Sequence, residues 1–137
     1  MANTKTAQNN YSEKIIDKSS GLEKRALLIV SDRQDAETFS MIMKETDTKK
    51  LLISVDSWCI IEVHNENGKD KDYTILVVLD ETGVKYCTSS KSFIARFQNI
   101  IYQLRDFEEP DSHFSLVCVS KPSKNYDTGF LTCSLAN

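Results

Sequence analysis

Proline and glycine are scarce in this 137-residue chain, at 2 and 4 residues. That excludes collagen-like and Pro/Gly-rich low-complexity architectures, and no internal repeat is present. No apolar run approaches the roughly 20 residues that span a bilayer. The polar stretch from Met1 to Asn10 has no secretory apolar segment, so a cytoplasmic protein without a membrane partner is expected. The four cysteines (59, 87, 118 and 133) contain no close pair. The spacing that structural zinc requires is therefore missing, and with two histidines in the chain no metal and no cofactor is expected. In a reducing compartment such thiols act as small core hydrophobes. A Gly-rich phosphate loop, a His-x-x-x-His pair and a carboxylate pair in apolar surroundings are all lacking. The cysteines sit within apolar β-type runs, where thiols are inert, so catalysis is not expected. Seventeen basic against twenty acidic residues give a net charge of -3. A histone-like binder is excluded, but a local positive groove is not.

What is present is a chain with 40% hydrophobic and 27% charged residues, enough for one domain with an arm. Residues 1–24 are polar apart from Ile15 and Ile16 and read as a flexible arm. Residues 25–137 read as a single domain. It opens with a β-type run, Ala26 to Val30, and a short helix carrying Ala36, Phe39, Ile42 and Met43 behind a Ser31 or Asp32 cap. From Leu51 the pattern sharpens. Residues 51–64 alternate, with Ile53, Val55, Cys59, Ile61 and Val63 on one face and Leu52, Ser54, Asp56, Trp58, Ile60, Glu62 and His64 on the other. Turn residues 65–68 and a charged tip, 69–72, lead to a strand from Tyr73 to Leu79 that is apolar on both faces and so is central. Asp80-Glu81-Thr82-Gly83 turns into a strand ending at Thr88.

The clearest helix follows. Ser89 or Ser90 caps it, and Phe93, Ile94, Phe97, Ile100, Ile101 and Leu104 recur at helical spacing. An acidic cluster, Asp106 to Asp111, ends it. Strands from Phe114 to Val119 and Phe130 to Leu135 flank a polar loop over residues 121–129.

Strand, strand, strand, helix, strand, strand is the order of an OB-fold. The expected class is mainly β (α+β), an OB-like five-stranded barrel over about residues 51–137. One helix lies between its third and fourth strands, and an N-terminal extension precedes it. OB-folds bind oligonucleotides on strands 2 and 3 and through two loops. Those loops would hold Lys69 and Lys71, and Lys121, Lys124 and Tyr126.

Charge segregates accordingly. Residues 84–105 contain no acid but Lys85, Lys91, Arg96 and Arg105, and residues 112–126 contain no acid but Lys121 and Lys124. Aromatics interleave with these cations: Trp58 and Phe130 on polar strand faces, and Tyr73, Tyr86 and Tyr126 beside the basic segments. Rings on a polar face near lysines suit single strands, because any base stacks on a ring while lysines track phosphates. For Trp58 the spacing leaves open two alternatives to stacking: covering the barrel rim and packing beneath the N-terminal segment.

The run Leu76–Gly83 (LVVLDETG), then Tyr86, then Ser90-Lys91-Ser92 opening a helix, resembles the single-stranded DNA-binding proteins of small phages that replicate linear DNA from a protein primer. The tail, Pro122-Ser123-Lys124-Asn125 leading to a closing strand Gly129–Leu135, resembles them too, as well as related small binders of Gram-positive phages and mobile elements. The resemblance covers about residues 72–137. It implies an OB-like fold, sequence-independent coating of displaced single strands and no catalysis, with binding at Tyr73, Tyr86 and Lys91. Trp58 lies outside the matched region. The expected partner is single-stranded DNA, with replication proteins as further partners, and the protein is expected as a monomer or weak homo-oligomer in a host cytoplasm. The rival expectation is a phage-encoded inhibitor that uses the same barrel to bind a host protein, served by the acidic Asp106–Asp111 segment.

Overall fold

A computed structural model of the chain describes residues 11–38, 50–68, 71–123 and 126–136, with backbone alone described over 121–123 and 126–130. The elements follow in the order β1 (Tyr11–Lys18), α1 (Lys24–Ser31), β2 (Glu37–Thr38), β3 (Lys50–Asn65), β4 (Asp72–Asp80), β5 (Lys85–Thr88), α2 (Lys91–Asp106), β6 (Phe114–Ser123) and β7 (Tyr126–Ala136). The chain is mainly β: among the described residues seven strands form one sheet, curled into a half-barrel, with two helices. Its path is β2-β5-β4-β3-β6-β7, with β1 on β3.

The 16-residue β3 organises the rest. One edge pairs antiparallel with β4, and the other is shared between β6, over Lys50 to Val55, and β1, over Cys59 to Asn65. A register shift between Val55 and Ser57 reverses the facing of the strand. An extra residue in one strand moves every later side chain to the opposite face. Ile53 and Val55 therefore join Trp58 and Ile60 in one core, while Cys59, Ile61 and Val63 join the other. The single alternation expected over residues 51–64 is thus broken in the middle, and from Ser57 to Ile61 β3 is buried on both faces.

The two helices cover the two faces. Ser90 caps α2 as expected, its hydroxyl accepting from the Phe93 amide at 3.3 Å. The apolar stripe of α2 buries Phe93, Phe97, Ile100 and Ile101 against Leu76, Val78, Leu116 and Cys118. At the open end of the sheet α2 also serves the free edge of β7. Ser92 Oγ donates to the Leu131 carbonyl at 3.3 Å, and Arg96 Nε donates to that of Cys133 at 3.0 Å. An exposed ladder edge is a liability, and side chains of α2 occupy part of it here.

On the other face lies α1, where the sequence suggested a β-type run at Ala26 to Val30. Five consecutive apolar residues carry no period, so strand and helix read alike there. The helix presses Leu27 and Val30, three residues apart, onto Cys59, Ile61, Val63 and Val77. It leaves Leu28 and Ile29 exposed.

Three further expectations change. Residues 11–18, assigned to a flexible arm, form β1, whose ladder on β3 supplies the backbone partners that its modest apolar content does not predict. Residues 37–38 form β2 instead of helix, paired in parallel with β5; the remainder of the expected helix, with Phe39, Ile42 and Met43, lies outside the described residues. The expected loop 121–129 is mostly strand, because β6 and β7 pair as far as Ser123 and Tyr126. No described helix is long and apolar enough to cross a membrane.

Candidate nucleic-acid interface

The expected aromatic anchor, Trp58, is not on a surface. It is fully buried and meets Phe97 edge-on at 5.2 Å between ring centroids. Its Nε1 donates to the Asp111 carbonyl at 2.6 Å, and the Arg105 guanidinium lies 5.7 Å from its ring centroid. The cause is the bulge at Val55–Ser57, which turns Trp58 inward. This occurs where the edge of β3 opposite β4 passes from pairing with β6 to pairing with β1, and a polar knot fills the gap. Trp58 N–H donates to Ser19 Oγ, and Ser19 N–H donates back to the Trp58 carbonyl at 3.0 Å. The Asp111 carboxylate accepts from Ser20 N and Oγ, each at 2.9 Å, and from Arg105 Nε at 2.9 Å. Arg105 also pairs with Asp17. Burial alone would raise the Asp111 pKa, but the Ser20 and Arg105 hydrogen bonds outweigh it and hold the carboxyl below its ordinary value.

Two other expected contacts are committed elsewhere. Lys85 Nζ donates to the Ile29 carbonyl and, at 2.9 Å, to that of Asp32, so this cation closes the C-terminal end of α1. Tyr86 is half-buried against the α2-side core, and burial, with help from nearby Asp80 and Glu37, pushes its phenol up. Lys69 and Lys124 lie outside the described residues, as do the side chains of Lys121, Tyr126 and Phe130.

Tyr73, Lys71 and Lys91 remain, at one end of the sheet where β3 hands over to β4. An open-sided groove of about 640 Å³ runs there between the sheet and the N-terminal turns of α2. Lys91, Ser89, Ile94 and Gln98 line one wall, Glu62, Thr74 and Ile16 the other, and Asp72 and Tyr73 stand at the rim. Tyr73 is half-buried, resting partly against the α1-side cluster. Its register partner Val63 also faces Glu13 of β1, so Glu13, Val63 and Tyr73 form one cross-strand row. Tyr11, two residues from Glu13 on the same face, is 40% exposed and donates its phenol proton to Glu13. Arg33 pairs with Glu13 at 2.9 Å. Sequence reasoning missed Tyr11 because residues 1–24 carried no strand signal strong enough to assign it a face, and Arg33 because its partner Glu13 lies in that same stretch.

Carboxylates temper this end. His64 Nδ1 lies 2.6 Å from Asp72 and its Nε2 3.5 Å from Glu66, and hydrogen bonds to Asp72 and then Glu66 raise the imidazole pKa. Among the described residues no group of three or more His, Cys, Asp or Glu is arranged to hold a metal. The buried thiols are pushed upward by desolvation, Cys59 to about 11 and Cys133 to about 12, well away from the activated range. No family model matches the chain, and neither a curated protein nor a solved structure matches it.

Proposed function

We propose that this protein binds single-stranded DNA without sequence preference, on an OB-like barrel, in phage-type DNA replication. The observation that carries the reading is the groove at the β3–β4 end of the sheet, which holds Lys91 and has Tyr73 at its rim. These are two of the three residues that the resemblance implies. The volume falls in the range of about 300–1,000 Å³ typical of ligand clefts.

The strand connectivity supports the barrel reading. β3, β4 and β5 pair in succession, β3 also pairs with β6, and β6 with β7, with α2 between β5 and β6. That pairing suits an OB-like barrel left open between β5 and β7, to which β1 and β2 are added. The departure is on the outer face of β4 and β5, where an OB-fold takes its ligand and where α1 lies here. A bound strand would therefore run across the sheet end. Lys91 and the first amides of α2 would meet phosphate, Tyr73 would stack a base, and Glu62 or Asp72 would accept from exocyclic amines.

The test is fluorescence anisotropy with labelled oligo-dT against duplex of equal length. Saturable binding of oligo-dT, much tighter than duplex, supports the reading. No binding of either sinks it and leaves the host-protein inhibitor in front.

A further inference from the structure

α2 ends in an arrangement that opposes local stability in three ways. The helix closes in a Schellman motif: the Glu109 amide donates to the Leu104 carbonyl at 2.8 Å and the Glu108 amide to that of Arg105 at 3.1 Å. The left-handed position of this motif, normally glycine, is Glu108 at φ 58°. Phe107, the residue before it, is 79% exposed, more than any other large hydrophobic residue described. Asp106, Glu108 and Glu109 crowd the negative end of the helix dipole, where cations are favoured. The one cation of the last turn, Arg105, is turned away to Asp17 and Asp111. Among the described residues none of the three carboxylates is in an ion pair.

Beside Phe107 lies an apolar groove of about 470 Å³, with Ile100, Leu104 and Leu135 forming its lining and Glu109 at its edge. Leu135 is 49% exposed. The groove is separate from the one that holds Lys91.

We infer that this groove docks a cationic, aliphatic segment of a protein partner, whose apolar side chain packs on Phe107 and Leu135 while flanking Lys or Arg side chains meet Asp106, Glu108 and Glu109. Charge complementarity selects this occupant. A second copy of the chain in isologous contact would bring two sets of these carboxylates together, which repels. A phosphodiester is repelled for the same reason. An exposed aromatic beside aliphatic groups, ringed by charge of one sign, is the composition of an interface anchor. The inference stands whether or not the DNA reading holds.

The experiment uses the full chain and a fluorescein-labelled twelve-residue peptide of alternating Leu-Leu and Lys-Lys pairs. Its controls are the same peptide with Glu for Lys and with Ser for Leu. The expected result is saturable binding of the Leu/Lys peptide alone, with amide shifts in the NMR spectrum centred on Leu104, Phe107 and Leu135. Phe107→Ser should weaken it at least tenfold. Asp106→Asn/Glu108→Gln/Glu109→Gln should weaken it and flatten its salt dependence, while Leu28→Ser, at an exposed apolar site on α1, should leave it unchanged. Binding that survives Phe107→Ser, shifts centred elsewhere, equal binding of the Glu control, or no binding would each overturn the inference. So would self-association abolished by Phe107→Ser, which would assign the groove to a second copy.

Discussion

The indole of Trp58 and the backbone of Asp111, 53 residues apart, are joined by a 2.6 Å hydrogen bond from Nε1 to the carbonyl oxygen. The bond ties the middle of β3 to the segment that follows α2. It sits where β3 changes partner from β6 to β1, so a tryptophan for which base stacking and packing beneath the N-terminal segment were both open seals a seam in the sheet.

Trp58→Ala should therefore act on stability. Removing a fully buried Trp in contact with Phe97 should cost about 3–5 kcal/mol. In the parent protein its emission should be blue-shifted and resist acrylamide. Chemical denaturation reads the first effect and a quenching titration the second. A variant as stable as the parent would contradict the burial.

The α2 stripe was legible in the sequence because it has a clean helical period, and the five strands from residue 51 onward because capping or turn residues bound their β-rich runs. Ser90 and the Asp80–Gly83 turn are examples. The facing of Trp58 was not legible. One bulged residue between Val55 and Ser57 reverses the parity, and nothing in DSW marks a bulge. α1 was obscured because Ala26 to Val30 has no polar residue to reveal a period. The strand at residues 11–18 was not legible because the stability of β1 comes from its ladder on β3, a tertiary partner invisible in those residues themselves. Of the residues singled out in the sequence, Tyr73 and Lys91 both line one groove, whereas Lys85 is drawn off by a helix whose presence was not anticipated.

The polar knot makes an acid-sensitive contribution. Asp111 has a depressed pKa, so its stabilisation is complete above the ordinary carboxyl value of 3.8 and is lost as pH falls through the depressed value. Asp111→Asn should cost about 1–3 kcal/mol at pH 7, as charge-assisted bonds from Ser20 and Arg105 weaken. Urea denaturation should show the gap between parent and variant narrowing only below about pH 4. A gap that stays constant down to pH 2 would remove Asp111 from the account.

Glu108 offers a substitution expected to stabilise. A left-handed conformation costs an L-residue roughly 1–2 kcal/mol, and glycine escapes most of it at some expense in unfolded-state entropy. Glu108→Gly should raise stability by about 0.5–1 kcal/mol, measured by thermal denaturation. A lower melting temperature would mean that the Glu108 side chain contributes contacts that outweigh its backbone strain.

The cysteines should respond to thiol reagents in order of burial. Cys87 is only half-buried, whereas Cys59, Cys118 and Cys133 are buried, with thiol pKa values pushed up by desolvation. In the native protein an aromatic disulfide reagent at pH 8 should label Cys87 first, and the other three at the rate of unfolding. Peptide mapping of the labelled protein identifies the site, and early labelling of Cys118 or Cys133 would contradict the packing of β6 on β7.

Binding of oligo-dT by Tyr73→Ala and Lys91→Ala across a salt series tests the central claim most directly. Tyr73→Ala should weaken affinity by roughly 1–3 kcal/mol, the contribution of one base stack, with the salt slope retained. Lys91→Ala should flatten the slope of log affinity against log salt by about 0.7, the share of one phosphate contact on single strands. If both variants stay folded and bind with the affinity and slope of the parent, the groove between β4 and α2 is not where this protein holds DNA.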